Sequence, residues 1–481
     1  MESDESAYLM SNKLDNLAHK DGDIQHSLAK LVDSFSIVLE QYLSNSLWTV
    51  VSVYVKYTDN DLCSVKNGKP NRSFREKELG ICVLLKRADG YQQRFSSNKS
   101  FSSLLSSIFK MIPDLGRTPL PSFLEKPFNH YAFETLTAPC INYEDVYDTE
   151  ARVRVDGHFE GTSLTFSSLE TVKAIKNQSG IIKTEKQIKF RMYIKVVSEL
   201  GVQSDDGLYS TNYPRIFEKD LIDSSINRLR RRCDSTFGFS ECKHGTFPII
   251  LAAAASAFLL HEVVGHLLEA DNISNGGNIL SSRMNQKVTN PNLTIIDDPC
   301  VPNGFGSFAV DDEGHLSSPT TLVQNGVIRG LLGSDEFRLS QLDCPYGRNA
   351  RKAKYDDAPL PRMSNLLVLP GKESELSIIN SYKNAIYCEE LDAGHINPTS
   401  GRFTLRVTNG RKIQSGQIRG KIGPAMLTGT VLEILGKVEH IGNKIESVET
   451  ICGKAGQDVL VGMSAPTLAI SGMLIHPIAI S

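Results

Sequence analysis

The chain has 481 residues, 40% of them hydrophobic and 22% charged, with a net charge of -3. At that length two or three domains are expected rather than one compact core, and the near-neutral balance excludes the strongly basic signature of a nucleic-acid or membrane-surface partner. The opening MESDESAYLMSNKLD is acidic and polar, unlike a secretory signal, and nine dispersed cysteines, an odd number, fit a reducing compartment with mostly free thiols, so a cytoplasmic protein is expected.

Apolar residues recur at helical spacing from Ile24 to Leu43, which predicts an amphipathic helix over Asp23 to about Asn45. The Val-, Tyr- and Thr-rich run Trp48 to Tyr57 predicts a strand, Leu79 to Leu85 a second, and Phe101 to Met111 another helix. Four prolines between Pro113 and Phe128 mark a linker or irregular crossing. Beyond it, Ala151 to Phe159 and Gln187 to Val197 alternate polar and apolar residues as antiparallel strands do, and Phe217 to Arg232 reads as a helix with a basic end. A solvated terminus complementing the helix dipole accounts for that arginine run better than anion binding.

Thr246 to Asp271, TFPIILAAAASAFLLHEVVGHLLEAD, is the stretch with chemistry. Phe247 to Leu260 is fourteen residues without charge, short of the ~20 that span a bilayer, and its Ala- and Leu-rich composition predicts a buried helix with Pro248 in its first turn. That helix delivers His261, Glu262 and His266. Imidazole is a good ligand for Zn²⁺, and a glutamate beside it can accept the proton of a water that the ion activates. The spacing is HExxxH, one residue longer than the HExxH of many zinc peptidases. Positions i and i+5 differ by roughly 140° around a regular helix, against roughly 40° for i and i+4. Either a single π-turn absorbs the extra residue or the helix loosens at Gly265, and a local break between Val263 and His266 is predicted.

From Asn272 onward, short apolar runs, many glycines and the pairs Asn275-Gly276, Asn325-Gly326 and Asn409-Gly410 predict a mostly β domain, barrel-like or a sandwich, with those pairs as hairpin tips. Acids gather at Asp297, Asp298, Asp311, Asp312 and Glu313; turn chemistry explains Asp311 to Gly314 better than a cation does. Near the C-terminus Cys452 falls on what reads as a glycine-flanked loop, and two histidines with one cysteine would leave a fourth metal position open. Spacing alone does not select Cys452 from nine cysteines.

Four ordered segments make a resemblance specific. HEVVGHLLEAD, SFAVDDEG (Ser307 to Gly314), LPRMSNLLVLPG (Leu360 to Gly371) and CGKAGQDVLVGMSAPTLAISG (Cys452 to Gly472) resemble the motifs of the TldD/PmbA family of modulator-type metalloproteases. The resemblance covers most of the chain from about Thr246; the first half is similar only in layout. It implies a zinc peptidase in which His261, His266 and Cys452 ligate Zn²⁺ and Glu262 is the general base, acting on unfolded or short peptides inside a dimer cavity. The dimer is either a homodimer or a heterodimer with a related TldE/PmbA-type subunit that lacks the metal residues. Ala270 stands where the family usually has Gly, and DAGHINPTSG and CPYGRNARKAKY depart from its pattern, which bears on substrate choice.

The expected architecture is α+β, with an N-terminal α/β subdomain (1-115), a central α/β subdomain (116-240) and a C-terminal β-rich metallopeptidase domain (241-481) entered by a long buried metal-binding helix. Two other functions are weighed: a pathway-specific hydrolase of a single peptide or amide biosynthetic intermediate, and a noncatalytic partner subunit with structural zinc. Glu269 is either an acid behind His266 or a plain helix-end residue. Arg362 either binds a substrate carboxylate or ties down its own segment, and His315 and His395 read better as surface or packed histidines than as substrate contacts.

Overall fold

The computed structural model describes residues 24-44, 46-90, 92-111, 141-235, 240, 242-274, 277-337 and 346-478. Helix α1 (Ile24–Leu43) turns Leu28, Leu31, Val32, Phe35 and Leu39 inward, as its sequence period requires. It lies on a sheet opened by the hairpin of β1 (Trp48–Lys66) and β2 (Lys69–Arg87), whose tip Asn67-Gly68 takes left-handed φ values of 49° and 73°. Next in the chain come β3 (Gln92–Ser97), α2 (Phe101–Met111), α3 (Tyr143–Arg154), β4 (Phe159–Asn177), β5 (Ile182–Ser198), β6 (Gln203–Ser210) and α4 (Lys219–Ser235). All six strands form one antiparallel sheet in the order β3-β2-β1-β4-β5-β6. The expected boundary near 115 lies outside the described residues, and strands from either side of it pair within this sheet.

Two cores cover it. Residues of α1 and α2 pack with Val53, Val55, Ile81 and Val83, while residues of α3 and α4 pack with Leu164, Phe166, Phe190 and Met192. Of the expected strand at Ala151 to Phe159, Ala151 to Arg154 is the end of α3, a turn follows, and Phe159 alone opens a strand, β4. Val146, Thr149, Glu150 and Val153 are buried at helical spacing, and Asn142 caps the helix by accepting from the Glu144 N–H, so the short alternation around Arg152 to Val155 is incidental. The basic end of α4 is not merely solvated either: Arg228 and Arg232 hold Asp206, Arg230 holds Asp156, and Arg232 also reaches Glu390 at 2.8 Å.

The C-terminal half is a mixed sheet of eleven strands. Strand β7 (Gly245–Leu251) precedes helix α5 (Ala253–Leu260), so the first part of the expected helix is a strand. Its Thr, Phe and Ile residues suit a ladder, and the register slips next to Pro248, which has no N–H to give. The strands of this sheet that follow are β8 (Ile295–Asp297), β9 (Thr320–Gln324), β10 (Val327–Ile328), β11 (Asn365–Val368), β12 (Asn384–Ile396), β13 (Arg402–Gln414), β14 (Gln417–Ile422), β15 (Ala425–Thr430), β16 (Val438–Lys454) and β17 (Gln457–Pro477). Pairing runs β17-β15-β13-β12-β7 and returns from β7 to β17, which closes a five-stranded ring; β11, β8, β9 and β10 extend from β17, and β16 pairs with β17 as a long hairpin. The domain is thus β-rich and barrel-like, as the sequence implies.

Asn325-Gly326 is the tip between β9 and β10, with φ of 50° and 80°. Asn409-Gly410 is not a tip: it lies inside β13 at a register slip opposite Glu390, and the turn comes later at Ser415-Gly416, φ 49° and 73°. Asn275-Gly276 lies outside the described residues. The face of the N-terminal sheet opposite its helices meets the C-terminal half, with Lys173 Nζ 2.9 Å from Asp312 and Lys189 Nζ 2.6 Å from the Phe305 carbonyl.

Candidate metal centre

α5 does not stop at Leu260. It continues as a π-turn over His261–Gly265 and a 3-10 turn over His266–Leu268, with Val263, Val264, Leu267 and Leu268 buried in the main core. The His266 N–H donates to the His261 carbonyl, the wider hydrogen bond of a π-turn. That wider turn takes up the extra residue of HExxxH. The two imidazole rings stand edge to face, their centroids 4.8 Å apart at 81°.

Gly265 has helical φ and ψ of -55° and -60°, so freedom of φ is not what the position uses. It uses the absence of a side chain: a Cβ there would fall 2.0 Å from Met363 Sδ. Met363 belongs to the LPRMSN segment, so this close approach packs that segment on the π-turn.

Cys452 arrives from the other side of the core. It lies within β16, paired with Val459 of β17, and the glycines suggestive of a loop belong to the tip Ala455-Gly456 and to the strand itself. Its Sγ lies 3.4 Å from His266 Nε2, and one donor atom from each of His261, His266 and Cys452 falls within 4.8 Å of the others. Two imidazole nitrogens and a thiolate are a donor set suited to Zn²⁺ with a fourth position left over.

The surroundings fit the same ion. Glu269, wholly buried, sits 3.0 Å from His266 Nδ1, so a proton shared there leaves Nε2 as the donor atom toward a metal. Lys454 Nζ bonds Glu269 and Asp271, each at 2.7 Å, and the Met363 N–H donates to Glu269. Burial opposes the charged forms of all three central groups, but their neighbours outweigh it. The Glu269 and Cys452 charges bring His266 up to about 10, His266 and Lys454 bring Glu269 down to about 2, and the two imidazoles bring the Cys452 thiol down to about 5. A thiol held as thiolate is the form that binds metal, whereas an imidazole held protonated releases its Nε2 proton when a metal takes its place. Among the described residues His261 Nδ1 is buried without a hydrogen-bond partner, an arrangement that costs about 1–3 kcal/mol when nothing satisfies it.

Glu262 is partly exposed beside His261, and Gly394 of β12 borders it: a Cβ there would stand 3.5 Å from Glu262 Cγ and 2.7 Å from Leu405 Cδ2. Arg362 is fully buried and donates to the carbonyls of Cys452 at 2.5 Å and Gln457 at 3.1 Å, so it secures the Cys452 hairpin. Sequence reading left Glu269 undecided and missed Lys454 and Asp271. Asp311 turns its carboxylate onto the N–H groups of Glu313 and His315, while Asp297 accepts from Ser364 and Asn349, which accounts for those acids structurally. His315 pairs with Asp335 at 2.8 Å, and His395 is exposed on β12.

Cys63, Cys82, Cys233, Cys242, Cys300, Cys388 and Cys452 are free thiols, and no helix among the described residues is long and apolar enough to cross a membrane. Residues 244–476 match the PmbA/TldA metallopeptidase C-terminal domain. A metalloprotease of Methanothermobacter thermautotrophicus is 30% identical over 335 residues, 69% of this chain and 73% of that protein. A zinc metalloprotease TldD homolog of Saccharolobus solfataricus is 26% identical over 264 residues, 55% of this chain and 59% of its own length. TldE from Thermococcus kodakarensis has the same fold at 15% identity, with a TM-score of 0.69 over 92% of this chain and 99% of that one. With 30% identity to a metalloprotease over 69% of its length and the match of its C-terminal half, the chain belongs to the PmbA/TldD metallopeptidase family.

Proposed function

We propose that the chain is a zinc-dependent peptidase that hydrolyses peptide bonds of unfolded or short peptides. The observation that carries this reading is the convergence of His261, His266 and Cys452, with donor atoms within 4.8 Å of one another, beside the carboxylate-bearing Glu262. The family and the zinc in one relative's name support it. Zinc held by the two histidines and Cys452 would supply Lewis acidity, polarising a scissile carbonyl and lowering the pKa of water to about 7. Glu262 would take the proton of the attacking water and return it to the leaving nitrogen. Glu269 would fix the His266 ring, and an extended peptide would bind through its main chain as an added strand.

The assembly proposed is a dimer enclosing the site, made of two copies or of this chain with a TldE-type subunit, in the cytoplasm; the TldE-like fold is what supports the second option. A hydrolase of one biosynthetic intermediate is the narrower form of the same reading. A noncatalytic subunit with structural zinc is the competing class, and the retained Glu262 argues against it, since a structural site needs no base.

The test is zinc content of wild type and Cys452→Ala, with cleavage of an unstructured peptide by wild type and Glu262→Gln. About one zinc per chain, lost with Cys452, and cleavage that disappears in Glu262→Gln while zinc stays bound, are expected. Cleavage that survives in Glu262→Gln would remove the proposed base.

A further inference from the structure

Where the N-terminal sheet meets the C-terminal half there is a cavity of about 200 Å³. Lys56 of β1, Lys173 of β4, and Lys189 and Arg191 of β5 line one wall, all from the same face of the sheet; Arg351 and Lys352 line another. Ile451, Asp458, Val459 and Leu460 of the Cys452 hairpin also line it, so the cavity backs onto the strand pair that carries the thiol.

Six cations, Lys56, Lys173, Lys189, Arg191, Arg351 and Lys352, face four acids, Glu185, Asp311, Asp312 and Asp458, so the lining is cationic. Glu185 and Asp312 both go to Lys173, at 3.1 and 2.9 Å, and Asp311 spends one oxygen on its own turn. Lys56 and Lys189 donate to the backbone carbonyls of Ala353 and Phe305 at 2.7 and 2.6 Å, and Lys352 donates to the Tyr355 carbonyl at 2.9 Å with the Cys82 thiol beside it. Arg351 likewise donates to the Met363 carbonyl at 2.7 Å. None of these four forms an ion pair among the described residues. A carbonyl satisfies a hydrogen bond but leaves the charge uncompensated, and Lys189 and Lys352 are only 5% and 7% exposed. Burial accordingly pushes Lys189 down to about 7 and Lys56 down to about 8. Lys352 also has the Tyr54 ring 4.0 Å from its ammonium, an aromatic wall in place of a counter-ion.

We propose that this cavity is an oxyanion site whose occupant is a carboxylate carried by a peptide, held by Lys56, Lys189, Arg351 and Lys352. Its size suits a carboxylate or an inorganic oxyanion, and its wall of Ile451, Val459 and Leu460 sets it against the candidate metal centre. The peptide half of the inference rests on the peptidase reading; the oxyanion half does not.

The probe is inorganic sulfate, titrated into the full chain and read by calorimetry and by melting temperature. Saturable one-to-one binding is expected, weakened at least about tenfold in Lys189→Met and in Lys352→Met, the scale of a lost charge-assisted hydrogen bond. Both variants should still unfold in one cooperative transition without sulfate, because the buried cation removed offsets the carbonyl bond lost, so lost binding is not lost folding. Absence of saturable binding, or binding unchanged in both variants, overturns the site. The source is then read on the Glu262→Gln chain, without turnover, using two peptides that differ only in a free or amidated C-terminus. Displacement of sulfate by the free acid alone assigns the site to a peptide's terminal carboxylate. Displacement by both or by neither overturns that assignment and leaves a free oxyanion.

Discussion

Cys452 Sγ and His266 Nε2 lie 3.4 Å apart although the residues are separated by 186 positions, and the opposite nitrogen of the same ring is held by Glu269 at 3.0 Å. The ring is therefore oriented from both sides. Glu269→Gln keeps the shape of the side chain and removes its charge, leaving Lys454 its bond to Asp271. Zinc affinity should fall about 10–100-fold, the usual cost of losing such an orienting partner. Competition against a chelator measures it, and an unchanged affinity would show that Glu269 does not position the ring.

Gly265 offers a test of the π-turn. Alanine is the better helix former by about 1 kcal/mol, so propensity alone predicts that Gly265→Ala stabilises the chain. The added Cβ would lie 2.0 Å from Met363 Sδ, however, and overpacking of a filled core costs about 1–3 kcal/mol. The clash should win and lower the melting temperature. Gly265→Ala combined with Met363→Ala should recover part of the loss, and a double variant showing simple additivity would locate the strain elsewhere.

What was legible in the sequence followed from periodicity wherever one face of an element meets water. α1 could be read because Leu28, Val32, Phe35 and Leu39 alternate with polar residues at helical spacing. β7 could not, because it sits between β12 and β17 with Ile249, Ile250 and Leu251 all buried, and an apolar run without alternation looks the same for a central strand as for a buried helix. The site shows the same limit. His261 and His266 were visible as a spacing, and Cys452 only through the family resemblance. Reading Cys452 as a loop residue concealed Lys454, two positions on and therefore on the same face of β16. A strand assignment there would have aimed Lys454 at the acids following His266.

Arg362 carries a prediction about the hairpin. Its guanidinium bonds the Cys452 and Gln457 carbonyls on the two strands flanking the tip, from a position with no exposure to solvent. Lysine is a point donor on a flexible stem and cannot reproduce that fork. Arg362→Lys should therefore destabilise the chain by about 1–3 kcal/mol, the cost of leaving buried acceptors unpaired. Amide exchange at residues 452–459 should quicken more than in α1, which shares no contact with this arginine. Uniform acceleration across the chain would indicate a global effect and not a local clamp.

Glu313 supplies the pH dependence. Burial, with Asp335 and Asp311 adding to it, raises its carboxyl from an ordinary 4.5 to about 8, although the Asp335 N–H bond to Glu313 works the other way. The folded chain therefore holds a proton on Glu313 between pH 4.5 and about 8 that the unfolded chain has lost. A raised folded value means that this contribution to stability is fully present below 4.5 and declines as pH rises through about 8. Glu313→Gln mimics the protonated carboxyl and still offers an oxygen to the Asp335 N–H, so it should narrow the gap in melting temperature between pH 5 and pH 9 by raising the value at pH 9. Wild type and variant melting in parallel across that range would mean that Glu313 carries its charge in the folded chain at neutral pH, with Asp335 or solvent relaxing to accommodate it.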